Sequence, residues 1–284
     1  MLTLGINKPA LSNETFLLVR DIIYSRCGIF FPENKKYLLE TRLARRLDER
    51  NLKTFEDYYY FLTYDREKDR ELQNLFNSVV TNETSFFRDP VQLDAFRKGV
   101  VAKVLDEKGQ NGNRNIKIWS AACSTGEEPL TLAMMLLEDG VHLKGWNIEI
   151  LATDISENVL KAAAAGFYEK YALRNTPEHY LKKYFSPAGE SYTISKRAHE
   201  IVKFKRMNLM DSLETRMVRG MDIVLCRNVL IYFDDASKKK AIGHIYDSMD
   251  RGGYLFVGFS ESLHSITRLF RPVSIERSVV YKKI

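Results

Sequence analysis

Residues 116–132 read IKIWSAACSTGEEPLTL, and the reading of this stretch decides the fold. A short apolar run (Ile116, Ile118, Trp119) stops at small residues. A Gly126-Glu127-Glu128-Pro129 corner then opens a helical run. The pattern predicts a strand, a tight turn and a helix N-terminus, where backbone N–H groups and the helix dipole favour a polar or anionic ligand group. Further on, Ile148 to Asp154 (IEILATD) repeats the strand and ends in an acid. A carboxylate at the tip of the second strand of a βαβ unit is placed to bind the two hydroxyls of a ribose.

The turn also says which nucleoside. A dinucleotide calls for G-x-G-x-x-G and a nucleoside triphosphate for G-x-x-x-x-G-K-[ST]. Here there is one glycine, Gly126, followed by two glutamates, which is a poor setting for pyrophosphate. S-adenosylmethionine fits better, since it carries a ribose, no phosphate, and cationic ammonium and sulfonium groups. Two plainer readings stay open. Thr125 and Glu128 stand in the S/T-x-x-E relation of a capping box, and Asp154 could cap the helix that begins near Ser156.

Moving outward, the chain divides near residue 90. From Ser12 to about Leu75 the apolar spacing predicts amphipathic helices: one from Ser12, one over 35–50, and two over 54–63 and 66–80. Beyond Val91, strands alternate with helices: 116–119, 149–153, 201–206, 221–226 and 254–259. That alternation predicts an α/β fold with a mainly parallel sheet, closed by an extended, β-branched tail over 271–283. Between the halves, Thr81 to Arg88 (TNETSFFR) places Asn82, Thr84 and Arg88 where clefts between domains commonly form. Phe86 and Phe87 belong in the core. Asp222 to Phe233 (DIVLCRNVLIYF) reads as a buried strand that delivers Arg227 and Asn228 to its C-terminal end, with Tyr232 on the next turn.

Composition narrows the class. A chain of 284 residues with 45% hydrophobic residues can build one large or two modest cores. No run approaches the roughly 18–20 apolar residues of a membrane span, and the N-terminus shows no secretory pattern. Cys27, Cys123 and Cys226 are widely separated and lack metal-ligand spacing, so no metal is expected and the setting is a reducing one.

TNETSFFRD, IWSAACSTGEEP, ILATDIS, the Asn208-Leu209 pair in RMNLMD, LCRNVLIYF and GGYLFVGFSESL together resemble the chemotaxis receptor glutamate methyltransferases, the CheR family. The motifs run in order over nearly the whole chain. The resemblance implies an all-α N-terminal domain (1–76), a linker contributing to the cofactor site (77–92), and a Rossmann-like class I methyltransferase domain (93–284) with a small inserted β-subdomain at about 168–206. It implies transfer of a methyl group from S-adenosylmethionine to glutamate side chains of methyl-accepting chemotaxis receptors, leaving S-adenosylhomocysteine. The matching cofactor positions are Asn82, Thr84, Arg88, Glu128, Asp154, Asn208, Leu209, Arg227 and Asn228, with Arg88 and Tyr232 next to the transferred methyl. The chemistry agrees: a glutamate of pKa about 4.3 is already ionised at neutral pH, so the reaction requires no general base.

Arg42, Arg45, Arg46 and Arg50 recur at i, i+3, i+4 and i+8 and form one basic helix face. Taken alone this reads as a solvated face. Nucleic acid fits poorly, because Glu40, Asp48 and Glu49 share the helix. In the resembled family the corresponding helix faces the acidic methylation region of the receptor's cytoplasmic helical bundle, which makes these arginines substrate-docking candidates. Some members also dock a receptor tail pentapeptide through a glycine-rich loop. Here Phe185 to Ile194 (FSPAGESYTI) holds the single Gly189, so recognition without the pentapeptide is expected. The resulting expectation is a monomeric, cytoplasmic bacterial enzyme recruited to receptor arrays. The alternatives are a same-fold methyltransferase acting on RNA or another protein, and a non-catalytic S-adenosylmethionine sensor.

Overall fold

The computed structural model describes residues 9–284. Residues 1–8, which open the expected helical domain and would begin any secretory pattern, lie outside the described residues. The chain divides into two compact units between Thr81 and Asn82, so the segment read as a linker over 77–92 is shared between them.

The first unit contains α1 (Asn13–Cys27), α2 (Lys36–Arg50), α3 (Phe55–Tyr64) and α4 (Lys68–Val79). Its helix ends follow from local chemistry. The Ser12 hydroxyl accepts the Thr15 N–H at the start of α1, Gly28 closes that helix in the left-handed region, and Thr54 with Asp57 forms a reciprocal capping box on α3. Phe16, Val19 and Ile23 of α1, Leu39, Leu43 and Leu47 of α2, Tyr58 and Leu62 of α3, and Leu72, Leu75 and Phe76 of α4 are buried. These are the apolar positions of four amphipathic stripes.

The second unit is built on a seven-stranded sheet. Its strands are β1 (Asn115–Ala121), β2 (Asn147–Asp154), β6 (Val202–Arg206), β7 (Met221–Cys226), β8 (Met249–Val257), β9 (Phe270–Ile275) and β10 (Ser278–Lys283), in the order β6-β2-β1-β7-β8-β10-β9. β3 (Phe167–Glu169), β4 (Phe185–Ala188) and β5 (Ser191–Ile194) form a separate antiparallel sheet. β6 pairs in parallel with β2, so residues 202–206 belong to the main sheet and the inserted subdomain ends earlier than the expected 206. The register sets Ile116 opposite Ile148 and Ile118 opposite Ile150, all in line with the apolar runs of the sequence. β7 joins β1 and β8 in parallel, while β10 and β9 close the far edge antiparallel. The fully buried Trp119 donates its indole N–H to Thr153 Oγ1 at 2.9 Å, tying the ends of β1 and β2 together.

From β1 the chain winds outward through β2 to β6, then returns to β7 on the other side of β1. The β1/β7 junction is therefore the topological switch point, beyond whose strand C-termini ligands bind in open α/β sheets.

Candidate functional site

β1 leads through residues 122–126 into helix α7 (Glu127–Glu138, labelled in chain order after α5, Pro90–Asp94, and α6, Ala102–Gln110). Ala122 (φ +64°), Ser124 (φ +50°) and Gly126 (φ +92°) all adopt left-handed backbone. For alanine and serine this costs about 1–3 kcal/mol each. At Gly126 a Cβ would come within 2.9 Å of Ala163 Cβ, so the helix packs closely only because the residue is glycine. Of the seven described non-glycine residues with positive φ, five (Phe87, Asp89, Ala122, Ser124, Asn228) lie in the three segments that converge on this site.

Asp154, at the tip of β2, holds the turn. Its Oδ2 accepts the Ser124 N–H and its Oδ1 the Ser156 N–H, both at 2.9 Å. Burial pushes this carboxyl above the usual carboxylate range, and the backbone donors of Ser156, Ser124 and Ile155 offset only part of that shift. The cap of helix α8 (Glu157–Ala165) is Ser156, not Asp154. Asp154 thus stitches two strand tips together and still has acceptor capacity.

Glu128 is likewise not a cap. Helix α7 starts at Gly126 with no side-chain cap, and the Thr125 hydroxyl donates to the neighbouring Glu127 at 2.7 and 2.9 Å. Burial raises the pKa of Glu127 as well, and the Thr125 hydroxyl counters this only partly. Glu128 Oε1 accepts from the Ser120 hydroxyl at 2.7 Å, and its Oε2 accepts from Arg227 at 2.9 Å. Arg227, buried at the end of β7, also donates to Gln92 Oε1 at 2.6 Å and to the Arg88 carbonyl at 3.2 Å, with Asp89 at 3.5 Å. Its guanidinium holds Glu128 and the Arg88–Gln92 segment in place. Gln92 and Ser120 carry no sequence signal; only the folded chain, which brings Gln92 to Arg227 across 135 positions, reveals them.

The remaining expected residues lie in the segment before α5 and in the segments that follow β6 and β7. Asn82 is exposed, and its carbonyl accepts from the Ser124 hydroxyl at 3.2 Å. Thr84 and Arg88 are half-buried, and Arg88 donates to the Glu83 carbonyl at 3.0 Å. Asn208 and the buried Leu209 follow β6. The Asn208 N–H goes to Glu214 at 2.7 Å, and the Leu209 carbonyl accepts from His244 at 2.8 Å. Asn228 (φ +60°) and the half-buried Tyr232 follow β7, the latter in a 3-10 turn over Leu230–Tyr232.

The expected basic face of α2 is corrected by the fold. Arg46 is buried and paired with Glu71, and Arg50 donates to Glu71 at 2.6 Å and to Glu67 at 2.9 Å. Arg42 donates to the Val79 carbonyl and, at 3.0 Å, to Thr81 Oγ1. The one largely exposed guanidinium of the four is Arg45, paired along the helix with Glu49. The spacing places these arginines near one another, but the fold consumes three of them.

The donor set at the strand tips consists of carboxylates and backbone, with its buried arginine already neutralised by Glu128. It suits a ligand with hydroxyls and positive charge rather than phosphate, and S-adenosylmethionine has those features. Two family models match the chain: "CheR methyltransferase, SAM binding domain" over residues 82–279 and "CheR methyltransferase, all-alpha domain" over residues 14–80. The chain is 35% identical to chemotaxis protein methyltransferase 2 of Vibrio cholerae, over 98% of this chain and 96% of that protein. It is 34% identical to the chemotaxis protein methyltransferase of Borreliella burgdorferi, over 92% and 91% of the two chains. Identity to chemotaxis protein methyltransferase 1 of Pseudomonas aeruginosa is 32%, over 95% and 98%. The chain belongs to the CheR methyltransferase family, which does not favour the alternatives of an RNA acceptor or a sensor. Among the described residues no helix is long and apolar enough to cross a membrane.

Proposed function

We propose that the chain esterifies glutamate side chains of methyl-accepting chemotaxis receptors, at receptor arrays in the cytoplasm and without help from a receptor tail peptide. The observation that carries the reading is the pair of acids, Glu128 and Asp154, on neighbouring turns at the switch point of a CheR-family sheet. When bound, S-adenosylmethionine supplies an electrophilic sulfonium methyl, which a substrate carboxylate oxygen takes in one in-line displacement that leaves S-adenosylhomocysteine.

The protein's own residues position and desolvate. Asp154 is assigned the ribose hydroxyls and Glu128 the cationic end of the cofactor, with Asn82, Thr84, Asn208, Leu209 and Asn228 along its length. Arg227 acts by holding Glu128. Arg88 steadies the incoming carboxylate and Tyr232 orients its oxygen. Holding both reactants near the attack geometry is worth about 7–11 kcal/mol at its best, and an ionised carboxylate needs no proton transfer. The two-residue turn at Gly189–Glu190 between β4 and β5 offers little loop to grip a peptide, in keeping with recognition of the receptor bundle itself.

The test is transfer of labelled methyl to purified chemoreceptor cytoplasmic fragments, followed by mild alkaline release of methanol. Volatile label that disappears when receptor glutamates are replaced supports the reading. Alkali-stable label, or none, defeats it.

A further inference from the structure

The GFSESL motif after β8 has an acid, Glu261, with no place in the scheme above. Its backbone N–H closes a turn onto the Gly258 carbonyl at 2.8 Å. Its carboxylate takes three backbone donors: Oε2 accepts the Gly258 N–H at 2.6 Å and the Asn228 N–H at 2.9 Å, and Oε1 accepts the Ile231 N–H at 3.1 Å. Two of these donors belong to the segment after β7 that carries Asn228 and Tyr232. A Cβ at Gly258 would lie 2.7 Å from Glu261 Oε2, 2.9 Å from Asn228 N and 3.1 Å from Asn228 Nδ2. Glycine at 258 is what lets the two strand ends close on one carboxylate.

We infer that Glu261 is a positioning residue for methyl transfer, its carboxylate fixing the Asn228–Tyr232 segment against the end of β8. The segment needs such a clamp. Asn228 is in left-handed backbone, and only one 3-10 turn lies between β7 and the helix at Asp235–Ser248. Charge-assisted bonds to backbone N–H groups are the strong kind, and both oxygens are used. An amide in the same place turns an N–H₂ toward a backbone N–H and loses one side of the clamp. The catalytic part of this inference rests on the proposed function.

The experiment compares full-length wild type with E261Q and E261A by hydrogen exchange and by receptor-fragment methylation. The expected result is exchange over residues 227–233 at least tenfold faster, with 121–128 and 154–157 unchanged, and kcat down at least tenfold. Unchanged exchange over 227–233 overturns the inference. So does exchange raised equally across the sheet, or selective loosening with wild-type kcat. Y232F, assayed alongside, isolates the reading of Tyr232: full activity there removes that role, and Glu261 is then decided by its own exchange and kcat. If the wild type esterifies no receptor carboxylate, the proposed function falls, and the exchange pattern alone decides whether Glu261 clamps the segment.

Discussion

Glu71 in the helical unit and Asp154 in the sheet unit are both buried carboxylates, held in opposite ways. Glu71 is wrapped by side chains. Its Oε1 accepts from Arg46 and Tyr58, each at 2.8 Å, and its Oε2 accepts from Arg46 at 2.9 Å and Arg50 at 2.6 Å. Burial alone would raise its pKa, but the bonds from Arg46, Tyr58 and Arg50 outweigh it and hold the carboxyl below its ordinary range. Asp154 is buried with backbone donors only, and its pKa moves the other way. Every acceptor site on Glu71 serves the fold, whereas Asp154 keeps capacity for a ligand. For these two acids, saturation by cations goes with a part in the fold, and backbone amides alone leave room for a ligand.

The largest effect is expected at the saturated acid. Arg46→Ala removes the two-bond partner of the buried Glu71 carboxylate, leaving it to Arg50 and Tyr58, and should cost about 3–5 kcal/mol in denaturant unfolding. A loss below about 1 kcal/mol would show that Arg50 and Tyr58 suffice without it. Asp154→Ala should behave differently. S-adenosylhomocysteine affinity, read by calorimetry, should fall about ten- to hundredfold, or about 1.4–2.8 kcal/mol. Near-wild-type affinity would return Asp154 to a purely structural part in the turn.

Acidification separates the two groups by sign. Glu71, with a folded pKa below its unfolded value of about 4.3, gives stability that is present above that value and is lost as pH falls through the folded pKa. Asp154 is the reverse. Its folded pKa lies above the unfolded value of about 3.9, so its contribution to folding is greatest below that value and is lost as pH rises through the folded pKa. Ligand binding that uses the ionised carboxylate therefore weakens first as pH drops. S-adenosylhomocysteine affinity should decline severalfold above the ordinary aspartate range, while the helical unit persists to lower pH. Melting of that unit before affinity changes would break the comparison.

What was legible in the sequence was what short range decides. The strand ending at Ala121, the glycine turn, and the acid at the tip of β2 all rest on neighbours a few residues apart, and the family motifs fixed their order. Arg46 shows where that reading stops. It lies four residues from Arg42 and Arg50, and spacing made all three one outward face. Yet Arg46 falls beside the buried Leu43 and Leu47, and its partner is 25 positions away on α4. The clamp from Gln92 to Arg227 and the reach of Glu261 to Asn228 are hidden for the same reason, since both depend on which strand ends the sheet makes neighbours. β6 read correctly as a strand of the parallel sheet from its alternation with helices, and its pairing with β2 agrees; it was the subdomain bound implied by the family resemblance that ran too far.

Arg45 carries the smallest expected effect and the sharpest test of the docking idea. Its side chain is 81% exposed, and its bond to Glu49 at 3.0 Å is an exposed i,i+4 pair of the kind worth about 0.3–0.5 kcal/mol. Arg45→Glu should therefore shift stability by no more than about 0.5 kcal/mol. Reversing Arg46 would unfold the unit before docking could be read, so the two neighbours answer different questions. If α2 meets an acidic receptor surface, Arg45→Glu raises KM for the receptor fragment a few fold, leaves kcat unchanged, and flattens the dependence of KM on salt, because exposed charges act within a screening length of about 8–10 Å. An unchanged KM and an unchanged salt dependence would make α2 a solvated face whose arginines serve only contacts within the helical unit.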